Sequence, residues 1–152
     1  MNVTIKRTDA SNPDFKKLVD ELNAYLAKID GEEHAFYAQF NNIDVLKHVV
    51  VAYGNDRALA CGGMKAYNER SMEIKRMFTT VASRGVGLGK QILNELETWA
   101  KELGYDTCVL ETGARQPDAV ALYTKMGYKR TENYGQYKGI ENSKCFKKSL
   151  LC

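Results

Sequence analysis

The amino-acid sequence predicts an α/β fold, with one mixed and mostly antiparallel sheet and helices on both faces, in a single domain over residues 1–152. Three observations lead there. Residues 72–112 read as strand, glycine loop, amphipathic helix and strand, a βαβ unit whose two strands lie parallel. Residues 48–81 hold three β-rich runs joined by short polar turns, the pattern of an antiparallel meander. The two prolines, Pro13 and Pro117, each head an amphipathic segment, where proline starts a helix rather than breaking one. A chain of 152 residues with 44% apolar and 27% charged residues can bury a substantial core and has an ordinary globular composition.

Taken in order, the first strand spans residues 3–8. Asn12 caps a helix opened by Pro13, with Phe15, Leu18, Leu22, Tyr25, Leu26 and Ile29 at helical spacing and Gly31 as the stop. A second short helix is expected over residues 33–40, with Phe36, Tyr37 and Phe40 on one side. Residues 48–53 and 57–67 form a hairpin around Gly54-Asn55-Asp56. Gly62-Gly63 inside the second strand suggests a bulge or a close approach by another part of the chain. After the turn at residues 68–71 comes a strand from Met72, carried by Ile74, Met77, Phe78, Thr79, Thr80 and Val81. Ile92, Leu93, Leu96, Trp99, Ala100 and Leu103 mark the apolar face of the next helix, which Gly104 ends. A strand over residues 105–112, a helix from Pro117 to Gly127, and strands over residues 128–131 and 143–150 complete the chain.

Composition excludes several roles. A formal net charge of +3 is too small to argue for nucleic acid, and Lys144, Lys147 and Lys148 read as a solvated strand face because no aromatic interleaving accompanies them. No stretch has the apolar length of a membrane span, and the N-terminus shows no signal-peptide core, so the expected address is the cytoplasm with no membrane partner. Cys61, Cys108, Cys145 and Cys152 form no C-x-x-C pair and are expected as reduced thiols, with Cys61 and Cys108 buried. His34 and His48 lack metal-ligand spacing, so no metal is expected.

The segment Arg84-Gly85-Val86-Gly87-Leu88-Gly89-Lys90 joins the central strand to its helix. Its glycines can take positive φ and carry no Cβ to hold a ligand away, and the helix N-terminus behind them favours negative charge. Together these features outline a pyrophosphate cradle. A Walker loop is ruled out because Arg84 and Gln91 stand where it needs Gly and Ser or Thr. The dinucleotide pattern G-x-G-x-x-G fails because its third glycine would fall on Lys90.

The pattern that fits is R-x-x-G-x-G, and with it the chain resembles the GNAT superfamily of acetyl-CoA-dependent N-acetyltransferases. A second signature of that family, A-x-x-L-Y-x-x-x-G-[FY], is matched by Ala119, Leu122, Tyr123, Gly127 and Tyr128. Residues 133–137 and 143–146 are similar to an uncharacterised bacterial branch of the family. The resemblance is strong from Met72 to Leu150 and weak before it. It implies a three-layer fold whose parallel central strands splay apart, and acetyl-CoA as co-substrate. It also implies direct attack on the thioester by a primary amine of a small molecule. The N–H groups from Arg84 to Lys90 would hold the diphosphate, with Arg84 and Lys90 adding charge. Met77, Phe78 and Thr79 would pair with the pantetheine arm as β-augmentation, and the N–H of Met77 or Phe78 would receive the oxyanion. Tyr123, protonated up to about pH 10, would be the acid for the departing thiolate; otherwise it is an amphipathic core residue. Ala119 and Gln116 would border the cofactor, although Gln116 reads first as a helix cap.

The attacking amine arrives as an ammonium and needs a base. Glu73 occupies the family's usual position, and Glu111 at the end of the next strand is the alternative. Strand alternation puts Lys75 on the face of Glu73 and Arg76 on the other. Residues 9–43 and 132–142 would line the acceptor side. There, Asp30, Glu32 and Glu33 read as a solvated helix end or as an acidic lip, and Tyr134 and Tyr137 as pocket walls or as contacts of a homodimer. A coenzyme-A-binding sensor would keep residues 84–89 but need neither Glu73 nor Tyr123, so their presence favours an enzyme. A protein acetyltransferase acting on lysines or α-amines is the third reading.

Overall fold

The structure, a computed structural model, describes residues 2–38 and 42–151. Its elements run β1 (Val3–Thr8), α1 (Pro13–Asp30), α2 (His34–Ala38), β2 (His48–Gly54), β3 (Arg57–Ala66) and β4 (Ser71–Thr79). They continue as α3 (Leu88–Glu102), β5 (Thr107–Gly113), α4 (Pro117–Lys125), β6 (Lys129–Thr131) and β7 (Ser143–Ser149). Among the described residues seven strands form one sheet in the order β1-β2-β3-β4-β5-β7-β6, and only β4 and β5 pair in parallel. Among the described residues no helix is long and apolar enough to cross a membrane.

Local chemistry starts and stops these elements where the sequence indicates. The Asn12 side chain accepts from the N–H groups of Asp14 and Phe15 at 2.8 and 3.0 Å, which caps α1, and Gly31 at φ 54° ends it. The strand period of two divides β2 between two cores. Val49 and Val51 pack with Phe15, Leu18 and Leu22 of α1, while Val50 and Ala52 pack with Ile92, Leu93 and Leu96 of α3. Helices therefore cover both faces, with α4 on the side of α3.

The sheet departs from regularity at its centre. Pairing of β4 with β5 runs only from Ser71–Thr107 to Ile74–Leu110, yet β4 continues to Thr79 and β5 to Gly113. On the other side of β4, the register with β3 slips between Cys61 and Gly63, so that Arg76 and Met77 both oppose Gly62. Arg76 takes the extra residue of this bulge at φ 57°. The expectation that Arg76 points away from Glu73 is therefore overturned. The bulge breaks the alternation, and the Arg76 guanidinium bonds Asn23 of α1 at 2.6 Å, on the same side as Glu73 and Lys75.

Smaller corrections have equally local causes. Thr80 and Val81 lie beyond the strand, in a tight turn that leaves Val81 exposed. Leu103 is exposed at the end of α3 rather than on its buried face. The second short helix ends at Ala38, and Phe40 lies outside the described residues. Cys61, Cys108 and Cys145 are buried free thiols; burial pushes the first two up to about 12 and the third to about 11.

The glycine opposite the bulge permits close packing of α3. A Cβ at Gly62 would lie 2.5 Å from Met77 Sδ, 2.8 Å from Ile92 Cγ2 and 3.0 Å from Leu96 Cδ1. Ile92 and Leu96 are fully buried and cannot yield cheaply. Gly62→Ala is therefore expected to cost roughly 1–3 kcal/mol through overpacking, read as a lower midpoint in thermal or urea unfolding.

Candidate active site

The loop behind β4 is open. Gly85 and Gly87 stand at φ 86° and 84°, and a Cβ at either would meet nothing within 4 Å. The first turn of α3 closes with the Gln91 N–H on the Gly87 carbonyl. Leu88, Gly89 and Lys90 thus have no acceptor within the helix for their N–H groups, and the N-cap residue, Gly87, has no side chain to cap them. Gly89 differs from these two: a Cβ there would stand 3.1 Å from Leu122 Cδ2 of α4, a tight approach. Arg84 turns back, donating from Nε to the Thr79 carbonyl at 3.0 Å and lying over the rings of Tyr25 and Phe78.

Three adjoining cavities lead from this loop into the sheet. The outer one, about 430 Å³, is walled by Met77, Phe78, Thr79, Arg84, Gly85 and Gly87 through Lys90 on one side, and by Gln116, Ala119 and Tyr123 on the other. Val86, the remaining loop residue expected at the cofactor, is exposed and outside this wall. A middle cavity of about 100 Å³ shares Met77, Gln116, Ala119 and Tyr123 with the outer one and adds Lys75, Arg76 and Glu111. The inner cavity, about 70 Å³, is bounded by Glu73, Lys75, Arg76, Glu111, Asp30 and Tyr137. The passage follows the gap where β4 and β5 part.

Two carboxylates at its inner end differ in environment. Glu73 is buried and engaged: its Oε2 accepts the Tyr134 hydroxyl at 2.8 Å and lies 4.0 Å from Lys75 Nζ. Glu111 has a buried Oε2 with no hydrogen-bond partner, and burial pushes its carboxyl up to about 7. A carboxyl that titrates there takes up and releases protons readily near neutral pH. Burial lowers Lys75, against the pull of Glu73, and raises Tyr123 above an ordinary phenol. The Tyr123 hydroxyl makes no hydrogen bond among the described residues, and its ring packs edge-on to Tyr128 at 5.9 Å.

Several sequence expectations change here. Gln116 occupies the N-cap position of α4 but its side chain makes no capping bond; it lines all three cavities instead. Asp30 is not part of a solvated end: it is buried against the inner cavity. Glu33 does remain at the surface, paired with Arg115 at 3.0 Å. Tyr137 lines the inner cavity, whereas Tyr134 reaches it only through its hydrogen bond to Glu73. Lys75 and Arg76 were missed as site residues. Two consecutive cations in a strand were the available signal, but only the bulge turns both to one side.

Comparison with known proteins agrees with this geometry. Residues 15–128 match the acetyltransferase (GNAT) family. The IAA acetyltransferase of Azospirillum brasilense is 29% identical over 140 residues, 90% of each chain. A Klebsiella pneumoniae structure assigned as an acyl-CoA N-acyltransferase is 26% identical, with a TM-score of 0.83 over 98% of both chains. A GNAT acetyltransferase from Elizabethkingia anophelis, solved with acetyl-CoA bound, shares the fold at a TM-score of 0.70 and 19% identity, covering 97% of this chain and 98% of that one. With the family match extending from the first turn of α1 to the residue before β6, the chain belongs to the acetyltransferase (GNAT) family and is an acyltransferase.

Proposed function

We propose that this enzyme transfers acetyl directly from acetyl-CoA to the primary amine of a small molecule. The observation that carries the reading is the gap between β4 and β5, which runs from the glycine loop at one end to the partnerless oxygen of Glu111 at the other.

In this reading the N–H groups of Leu88, Gly89 and Lys90 hold the diphosphate at the positive end of α3. Residues 77–79 receive the pantetheine amides. Thr80 donates its N–H to the Leu59 carbonyl of β3, so by alternation the N–H of Thr79 faces the gap and that of Phe78 faces β3. This favours Met77 over Phe78 as the oxyanion donor. The small inner cavity supports a small acceptor rather than a protein chain.

Glu111 takes the proton from the acceptor ammonium. The freed nitrogen forms a bond to the thioester carbonyl carbon, and the tetrahedral adduct loses its second ammonium proton to solvent and collapses with cleavage of the C–S bond. Sulfur leaves with the electron pair and receives the proton of Tyr123, which is restored from solvent, as Glu111 returns its own proton there. Burial keeps Tyr123 protonated beforehand. Glu73, committed to Tyr134 and Lys75, contributes negative charge to the wall that the ammonium passes.

Two results are expected from thiol-release assays with an amine panel. Tyr123→Phe lowers kcat roughly 10²-fold and leaves the dissociation constant for coenzyme A within a factor of about three; equal turnover removes the acid assignment. For the wild type, kcat/KM rises with pH through about 7 as Glu111 ionises. Glu111→Gln should abolish that limb, whereas a limb that survives the substitution returns the role of base to Glu73.

A further inference from the structure

The inner and middle cavities hold two groups of opposite charge that do not meet. Arg76 is half-buried, its Nη1 spent on the neutral Asn23 side chain at 2.6 Å and its buried Nε without any hydrogen-bond partner. Among the described residues it makes no ion pair. Glu111 Oε2, also buried, has no partner either. The nearby charges do not fill these vacancies. Lys75 sits 4.0 Å from Glu73, and Glu73 already accepts from Tyr134. Asp30 lines the same inner cavity.

A guanidinium nitrogen buried without an acceptor is costly, and so is a buried carboxylate oxygen without a donor. Arg76 carries a second cost. At φ 57° it occupies the left-handed region, where an L side chain is less comfortable than glycine. Glycine would relieve that strain; arginine adds a charge at the point where the gap begins. Strain held at one residue of a cleft is a common mark of a side chain in use.

We infer that the acceptor is a free amino acid, whose carboxylate pairs with Arg76 while its amine meets Glu111. One zwitterion supplies both missing partners: an anion for the guanidinium and an N–H donor for the carboxylate. The two groups line the same middle and inner cavities, and the volume there admits a compact head group. Guanidinium is suited to the task because its planar fork matches a carboxylate.

This inference rests on the acetyl-transfer reading and extends it. The test uses the full chain, acetyl-CoA and matched triplets of acceptors: L-amino acids, their primary amides and their decarboxylated amines. Thiol release is followed for each. The expected result is a kcat/KM at least tenfold higher for a free amino acid than for its amide and its decarboxylated amine. Arg76→Gln should reduce that preference to about onefold, whereas Arg76→Lys retains part of it, with coenzyme A still raising the melting temperature of both variants. The wild-type comparison stands even if a variant fails to fold. Amides or simple amines turned over as well as the amino acids overturn this proposal while leaving acetyl transfer intact. Absence of thiol release with every acceptor overturns both.

Discussion

Backbone pairing between β4 and β5 ends at Ile74 and Leu110, and the arrangement of the site follows from that ending. A sheet gains by completing its ladder, since unpaired amides away from water are costly. Here the ladder stops while both strands continue, which leaves the edge of β4 facing a cavity rather than a neighbour. The bulge at Arg76 adds twist to β4 at the same height. Gly62 on β3 lets α3 close over the far face without filling the gap.

The parts of this design carried by short-range chemistry were legible in the sequence. Asn12 with Pro13, Gly31, Gly104 and Gly127 punctuate the helices, and the alternation of Val49 to Ala52 reveals a strand covered on both faces. The glycine loop was legible for the same reason, because positive φ and an uncapped helix start are local properties. Arg76 was not, because its direction depends on a register slip against β3, which no periodicity within β4 records. Asp30 looked like one of several exposed acids at a helix end, and its burial is created by β5 and Gln116 arriving from far along the chain. The bond from Tyr134 to Glu73 links residues 61 positions apart, so no pattern in either segment discloses it.

Two polar clusters among the described residues are organised differently. On the side of α3, Glu97 accepts from Tyr128 at 3.0 Å and from Lys148 at 2.8 Å, so a buried carboxylate there has its partners and fastens α3 to β7. Around Glu111 and Arg76 the partners are incomplete. Satisfied networks hold a fold together, and unsatisfied ones sacrifice stability for readiness to bind. The contrast within one small protein separates framework from workplace.

The three described cysteines bear on a hazard of the trade. Thioesters exchange with thiolates, so a catalyst that handles an activated acyl group risks labelling its own sulfur atoms. Cys61, Cys108 and Cys145 lie within the packed sheet, and their thiols hold their protons well above neutral pH. Neutral sulfhydryls shielded from solvent are poor nucleophiles. The hydrophobic interior thus acts as a chemical quarantine, protecting these sulfur atoms from adventitious acylation by the very reagent the enzyme consumes.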